Sequence, residues 1–203
     1  MIKNKSLSEV AVDLNPFVQF EKWYKEHLIS DILVPNTVSL ATATKQGHVS
    51  IRTVLLKEYN ETGFVFFTNY NSKKGSHLSL NPQAALLFYW LDSGRQIRIE
   101  GVADKIPENE SELYFKQRPR ESQISTWASE QSSLIPDRQY LEKRYDLYNK
   151  KFIDKQVERP RHWGGFRIVP YWFEFWQERD FRLHDRITFT KRGNEWIIGR
   201  LAP

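Results

Sequence analysis

The sequence predicts a mainly β protein of the α+β class, an antiparallel barrel with helices packed on its outside. Three observations predict it. Short stretches of alternating apolar and polar residues recur between turn signals. A helical block interrupts them in the middle of the chain, and strands resume after it. The regular β-α alternation of a parallel sheet is missing.

Residues 15–28 read as a helix. Pro16 stands in its first turn with Asn15 as cap, and Phe17, Phe20, Trp23, Tyr24 and Leu28 keep helical spacing. Residues 37–44 alternate as a strand, 45–48 form a turn, and 49–59 form a second strand. A turn at 60–63 leads to a third strand at 64–69. Connections this short predict an antiparallel meander. Residues 72–80 form a short helix that ends at Asn81-Pro82. Residues 83–91 and 95–105 pair as a hairpin around Asp92-Ser93-Gly94. Pro107 opens a helix to about residue 117, and Pro119 starts a second to about residue 129. Residues 137–152 are a charged amphipathic helix. Residues 166–177 and 186–201 supply the last strands, the latter turning at Arg192-Gly193-Asn194.

The chain has 203 residues, 40% hydrophobic and 27% charged, which fits one soluble domain spanning 1–203, with 1–14 as a short flexible arm. Aromatic residues make up 14%, to be spent first on core and then on any flat-ring site. The absence of cysteine excludes disulfides, thiolate metal sites and cysteine nucleophiles. Residues 1–14 have no apolar segment of secretory type, and no apolar run reaches membrane-spanning length, so a cytoplasmic protein is expected. Net charge is +5, from 30 Lys+Arg against 25 Asp+Glu. The positive residues are spread in short segments, a pattern that favours discrete phosphate pockets over a nucleic-acid groove.

Five segments carry candidate chemistry. In a regular strand Arg52 and Lys57 point to opposite faces, serving two anions or leaving one charge at a solvated edge. At 67–75 a strand runs into a helix start bearing Lys73 and Lys74, where free N–H groups suit a phosphate as well as solvent. At 114–122 Pro119 breaks one helix into two. Tyr114, Arg118 and Ser122 then converge beside a helix N-terminus, a phosphate site or a polar corner. Gln131-Ser132-Ser133 reads as a loop. In an extended stretch Arg182, His184 and Arg186 share one face, which needs an anion or electron-rich ring between them, or acids such as Asp185 and Glu178 beside them.

The five histidines, at 27, 48, 77, 162 and 184, lack metal spacing, and no Walker loop, dinucleotide fingerprint or nucleophile elbow is present. An organic phosphorylated cofactor without metal is the expectation.

Taken in order, these segments resemble the pyridoxamine/pyridoxine 5′-phosphate oxidase family. They are R-T-V-L-L-K at 52–57, F-F-T-N at 66–69, S-K-K at 72–74, R-Q-I-R-I-E-G at 95–101 and Y-F-x-x-R-P-R-x-S-Q-I at 114–124. Q-S-S at 131–133, W-G-G-F-R at 163–167, E-F-W-Q at 174–177, R-L-H-D-R at 182–186 and R-L-A-P at 200–203 complete them.

The resemblance implies an FMN-binding antiparallel split β-barrel that works as a homodimer with FMN in the interface. It implies FMN contacts from Arg52, Thr53, Val54, Leu55, Leu56, Lys57, Phe67, Thr68, Lys73, Lys74 and Gln96 of one subunit. Gln131, Ser132, Trp176 and Arg186 of the second subunit would add to them. The substrate phosphate falls to Lys57, Tyr114, Arg118 and Ser122. Arg182 and His184, the catalytic pair, would cover the pyridine ring. The implied reaction turns phosphorylated B6 vitamers into pyridoxal 5′-phosphate, with dioxygen reduced to hydrogen peroxide and neither membrane nor nucleic acid as partner. Residues 1–14 depart from the family pattern in containing no arginine and no tyrosine, and Lys73 stands where arginine is common. Two alternatives remain at this point. One is a related split-barrel flavoprotein, either a phenazine-type oxidase or a flavin reductase. The other is a colourless nucleic-acid-binding barrel.

Overall fold

In a computed structural model, residues 6–28 and 35–203 are described. Helix α1 (Pro16–Leu28) precedes strands β1 (Thr37–Ala43), β2 (Val49–Leu55), β3 (Glu58–Asn60) and β4 (Gly63–Asn69). Helix α2 (Lys73–Leu80) leads to β5 (Gln83–Trp90) and β6 (Arg95–Lys105). The helical insertion is α3 (Glu108–Gln117), α4 (Arg120–Ala128) and α5 (Arg138–Lys151). Strands β7 (Trp163–Gln177), β8 (Asp185–Arg192) and β9 (Glu195–Arg200) follow.

The strands form one antiparallel sheet in the order β2-β1-β5-β6-β7-β4-β3, with β8 on β7 and β9 on β8. Strand β7 is the spine. Its first half pairs with β4 and its second half with β8, both on the side away from β6. The β6–β7 register shifts between Glu100 and Gly101, where Tyr171 of β7 is the extra residue beside Pro170, which has no N–H to give to a ladder. The sheet bends there and curls into a half-barrel, bringing edge strand β2 near β4.

The local meander is not formed. Strand β2 stops at Leu55, Leu56 turns into the core, and the Lys57 N–H donates to the Val65 carbonyl. Strand β3 then pairs with β4 at the other end of the sheet. Burial of Leu56 breaks the run that looks continuous in sequence, so Arg52 and Lys57 do not belong to one regular strand.

The core is aromatic. Phe20, Phe64, Phe88, Phe173, Phe175 and Phe189 are fully buried. Helix α1 lays Phe17, Phe20 and Trp23 onto Phe64, Phe88, Phe173 and Phe175 with ring centroids 4.9–5.9 Å apart. Most of the aromatic excess is therefore core, each contact adding about 0.5–1.5 kcal/mol to its area burial. A second cluster, Phe115, Ile124, Phe152, Val157 and Trp163, fixes α3–α5 onto the start of β7. The described part of the N-terminal arm is held in place. Leu7 and Val12 enter the core, and Arg200 forks onto Glu9 at 2.9 and 3.0 Å.

Gly63 opens β4 at φ +139°, and a Cβ there would sit 2.2 Å from the Ile168 carbonyl oxygen. Since backbone cannot yield as a side chain does, Gly63→Ala is expected to cost about 1–3 kcal/mol. A denaturant titration reads this, and an unchanged midpoint would refute it.

Candidate functional site

A cleft of about 630 Å³ opens between the end of β2, strand β4, the α3–α4 junction and the loop after α4. Each wall follows from a local feature of sequence. Pro107 and Pro119 stand at the N-caps of α3 and α4, so the chain turns at Arg118 and delivers its side chain to the cleft. Ser122 lies in the first turn of α4, where backbone N–H groups lack helical partners.

An aromatic wall lines one side. Phe67 stacks on Tyr114 with centroids 4.0 Å apart and on Trp163 at 5.3 Å. Lys57 Nζ lies 5.9 Å from the Tyr114 ring centroid, and the Arg118 guanidinium lies 4.7 Å from that of Trp163. Arg118 Nη1 donates to Thr126 Oγ1 at 2.6 Å, and Thr126 Oγ1 donates to the Ser122 carbonyl at 2.8 Å. Burial lowers the proton affinity of Arg118.

Lys74 lines the other end. It is only 9% exposed, and its ammonium donates to Thr68 Oγ1 at 3.1 Å and Gln131 Oε1 at 3.2 Å. Burial, and then the nearby Arg52 charge, bring its pKa down to about 8. Arg52 faces away from the cleft-lining Thr53, and its Nη1 donates to the Leu40 carbonyl at 3.1 Å and to Thr42 Oγ1 at 2.8 Å. Among the described residues, no carboxylate pairs with Arg52, Lys57, Lys74 or Arg118. Arg95, Arg98, Arg159, Arg186 and Arg200, in contrast, each have one.

The expected site residues fall into two clusters. The cleft gathers Thr53, Val54, Leu55, Lys57, Phe67, Thr68, Lys74, Tyr114, Arg118, Ser122 and Gln131. Gln131, expected from a second subunit, thus bonds Thr68 and Lys74 of its own chain. Ser132 follows it at φ 75°. Leu56 is buried rather than lining the cleft, and Lys73 is exposed. At the start of α2, Ser72 Oγ accepts from the Gly75 N–H, so the helix caps itself and a single lysine enters the cleft.

The second cluster lies on the sheet. Gln96, Trp176 and Arg186 are register partners across β6, β7 and β8, so Gln96 belongs with these residues rather than with the cleft. The His184 ring lies 4.6 Å from that of Trp176, and its Nδ1 accepts the Arg179 N–H at 3.2 Å. Arg186 Nε donates to the buried Glu174 at 2.6 Å, and Arg98 holds the other Glu174 oxygen at 2.8 Å. Glu174 is therefore the acid beside Arg186, whereas Asp185 binds Arg200 and Arg179. The stretch before β8 is not extended. A 3-10 turn at Asp180–Arg182 places Phe181 at φ 57° and Arg182 at φ 62°, with both side chains exposed. Arg182, His184 and Arg186 do not share a strand face, because alternation holds only where the backbone is extended.

Sequence reasoning missed Thr126, which holds Arg118, and gave Trp163 no role although it opens the W-G-G-F-R segment. Thr126 follows Ser122 by one helical turn on α4, a spacing that could have found it, whereas Trp163 reaches the cleft from β7 and no spacing rule marks it.

Two family models match the chain. One, described as pyridoxamine 5′-phosphate oxidase, covers residues 26–151. The other, described as the pyridoxine 5′-phosphate oxidase C-terminal dimerisation region, covers 163–203. A relative from Nostoc sp., named pyridoxine/pyridoxamine 5′-phosphate oxidase, is 48% identical over 200 residues, 98% of this chain and 94% of its own. One of the same name from Burkholderia thailandensis is 50% identical over 201 residues, 98% of this chain and 94% of its own. Among solved structures, PhzG from Burkholderia lata 383, in complex with tetrahydrophenazine-1-carboxylic acid, superposes with a TM-score of 0.91 at 28% identity, covering 99% of this chain and 100% of that one. An FMN-binding protein from Nostoc punctiforme, related to pyridoxamine 5′-phosphate oxidase, has a TM-score of 0.72 at 14% identity, covering 98% of this chain and all of its own, a likeness of fold alone.

Proposed function

The chain belongs to the pyridoxamine 5′-phosphate oxidase family, and from that premise we propose that it oxidises pyridoxine 5′-phosphate or pyridoxamine 5′-phosphate to pyridoxal 5′-phosphate. The alcohol loses a hydride and a proton to give the aldehyde. The amine loses the same two electrons to give an imine, which water converts to the aldehyde and ammonia. FMN, when bound, supplies the two-electron acceptor that dioxygen restores, with hydrogen peroxide as the second product.

One observation carries the reading: Arg52, Lys57, Lys74 and Arg118 gather in and beside one aromatic-walled cleft with no acid among the described residues paired to them. The residues fit FMN. Lys74 is a buried ammonium surrounded by neutral oxygens, with a second cation near enough to lower its pKa, and a phosphate would balance both. We assign Lys74 and Arg52 to the cofactor phosphate, and Arg118, Lys57, Tyr114 and Ser122 to the substrate phosphate. Phe67 and Tyr114 form an apolar wall that limits water.

A second copy of the chain would bring Gln96, Trp176, Arg186, Arg182 and His184 to the open side of the cleft. The match of residues 163–203 to a dimerisation region supports this. His184 Nδ1 is occupied by the Arg179 N–H, so Nε2 is the ring atom left to face a ligand. Arg182 and His184 are assigned to orienting the pyridine ring.

A second reading, favoured by the PhzG likeness, places a tricyclic carboxylic acid in the cleft. Two cations and a helix N-terminus at the α3–α4 junction exceed what one carboxylate needs, and they match a phosphate dianion better.

The deciding experiment mixes FMN-loaded protein anaerobically with either phosphorylated vitamer. The flavin absorbance is expected to bleach, then recover in air with pyridoxal 5′-phosphate formed. Bleaching with a phenazine-type acid alone, or with neither vitamer, would overturn the reading.

A further inference from the structure

Two buried polar residues have no part in the chemistry above. Thr42 on β1 is 3% exposed and His77 on α2 is 7% exposed. Arg52 reaches across from β2 to Thr42 Oγ1, which lies 3.2 Å from His77 Nδ1. The donor inventory sets the direction of the first bond. A guanidinium only donates, so Thr42 accepts from Arg52. The hydroxyl keeps a proton and a second lone pair, and either one bonds His77 Nδ1 according to the tautomer of the ring. The chain runs Arg52 to Thr42 to His77, tying β2 through β1 to α2, the helix that carries Lys74.

Arg52 needs such a tether. Its side chain has several free rotors, and a second cation, Lys74, repels it. Nη1 is spent on two neutral protein acceptors, Leu40 O and Thr42 Oγ1. Among the described residues, Nε and Nη2 have no protein partner. A guanidinium fixed through one nitrogen presents the others as a fork, which matches a phosphate.

We propose that Thr42 and His77 are positioning residues that hold the Arg52 guanidinium beside Lys74, ready for the phosphate of FMN. The proposal rests on the cofactor reading above. Thr42→Val keeps the shape and removes both of the Thr42 hydrogen bonds. It leaves Arg52 Nη1 with the Leu40 carbonyl alone, and His77 Nδ1 without its hydroxyl partner.

The test is the FMN dissociation constant of the flavin-stripped full-length chain, read by quenching of flavin fluorescence. Thr42→Val is expected to raise it about 10–100-fold, the range for a lost charge-assisted hydrogen bond. Thr42→Ser, which restores the hydroxyl, should return it to within about 3-fold of wild type. On an Arg52→Ala background, Thr42→Val should change it less than about 2-fold, since a residue acting through Arg52 has nothing left to position. His77→Leu, expected to weaken FMN in the same direction, gives the same readout if Thr42→Val fails to fold. An unchanged constant in Thr42→Val, or an equal loss with and without Arg52, would overturn the proposal and leave the cofactor reading standing. A wild-type chain that binds no FMN would remove both.

Discussion

Lys74→Met is expected to leave the chain folded while raising its FMN dissociation constant about 100-fold, from the loss of a buried charge-assisted phosphate contact. Ligand-free Lys74 is a poor investment for the fold. It is buried among Thr68, Ser72 and Gln131 with no carboxylate of the described residues paired to it, and Arg52 repels it. Methionine fills similar space without the desolvation cost, so the ligand-free variant should melt no lower than wild type. Opposite signs on stability and binding separate a ligand-binding lysine from a structural one.

The same burial sets a pH dependence. The lysine pKa falls from 10.5 to about 8 in the folded, ligand-free chain. Between these values the unfolded chain binds more protons, so the Lys74 contribution to stability rises with pH across that window. Below it both states are charged and the burial penalty is constant. A bound phosphate favours the ammonium, so binding above about pH 8 takes up a proton, and affinity should fall by up to about tenfold per pH unit. Titrations of wild type and Lys74→Met from pH 7 to 10 check this. Equal slopes in the two proteins would remove Lys74 from the cofactor site.

Arg118→Ala should raise KM for pyridoxine 5′-phosphate about 100-fold, change kcat far less, and leave FMN affinity alone. Arg118 is held on three sides, by the Trp163 ring, by Thr126 and by the turn that Pro119 imposes. A charge fixed so firmly, without an acid partner among the described residues, suits uniform binding of a group remote from the bond that breaks. Steady-state kinetics with pyridoxine and its phosphate check the assignment. The variant should lose most of the preference for the phosphate ester, and a retained preference would move the phosphate elsewhere.

Much of this molecule is legible in the chain by itself. Proline and glycine punctuation marked α1, the two helices split at Arg118 and the β5–β6 hairpin, because these signals act on neighbouring residues. The convergence of Tyr114, Arg118 and Ser122 was readable for the same reason. The sheet order was not. Strand β4 follows β2 after a few residues, yet it pairs with β7, about a hundred residues on. Local pattern shows which face of a strand is apolar, but partners are chosen by how the aromatic faces of distant strands fill one core.

The site divides along the same line. Cationic segments could be found by eye, but not that Arg52, Lys57, Lys74 and Arg118 pair with no acid among the described residues. Charge balance depends on what the fold brings near, and it brought Glu174, not Asp185, to Arg186. Nor could alternation hold at Arg182, where two left-handed residues break the strand. The sequence by itself determined the elements and the kinds of groups available, because propensity and periodicity are local. Tertiary structure alone decided which cations go unpaired and which cluster Gln96 and Gln131 join, because burial and electrostatics depend on contacts between residues far apart in the chain.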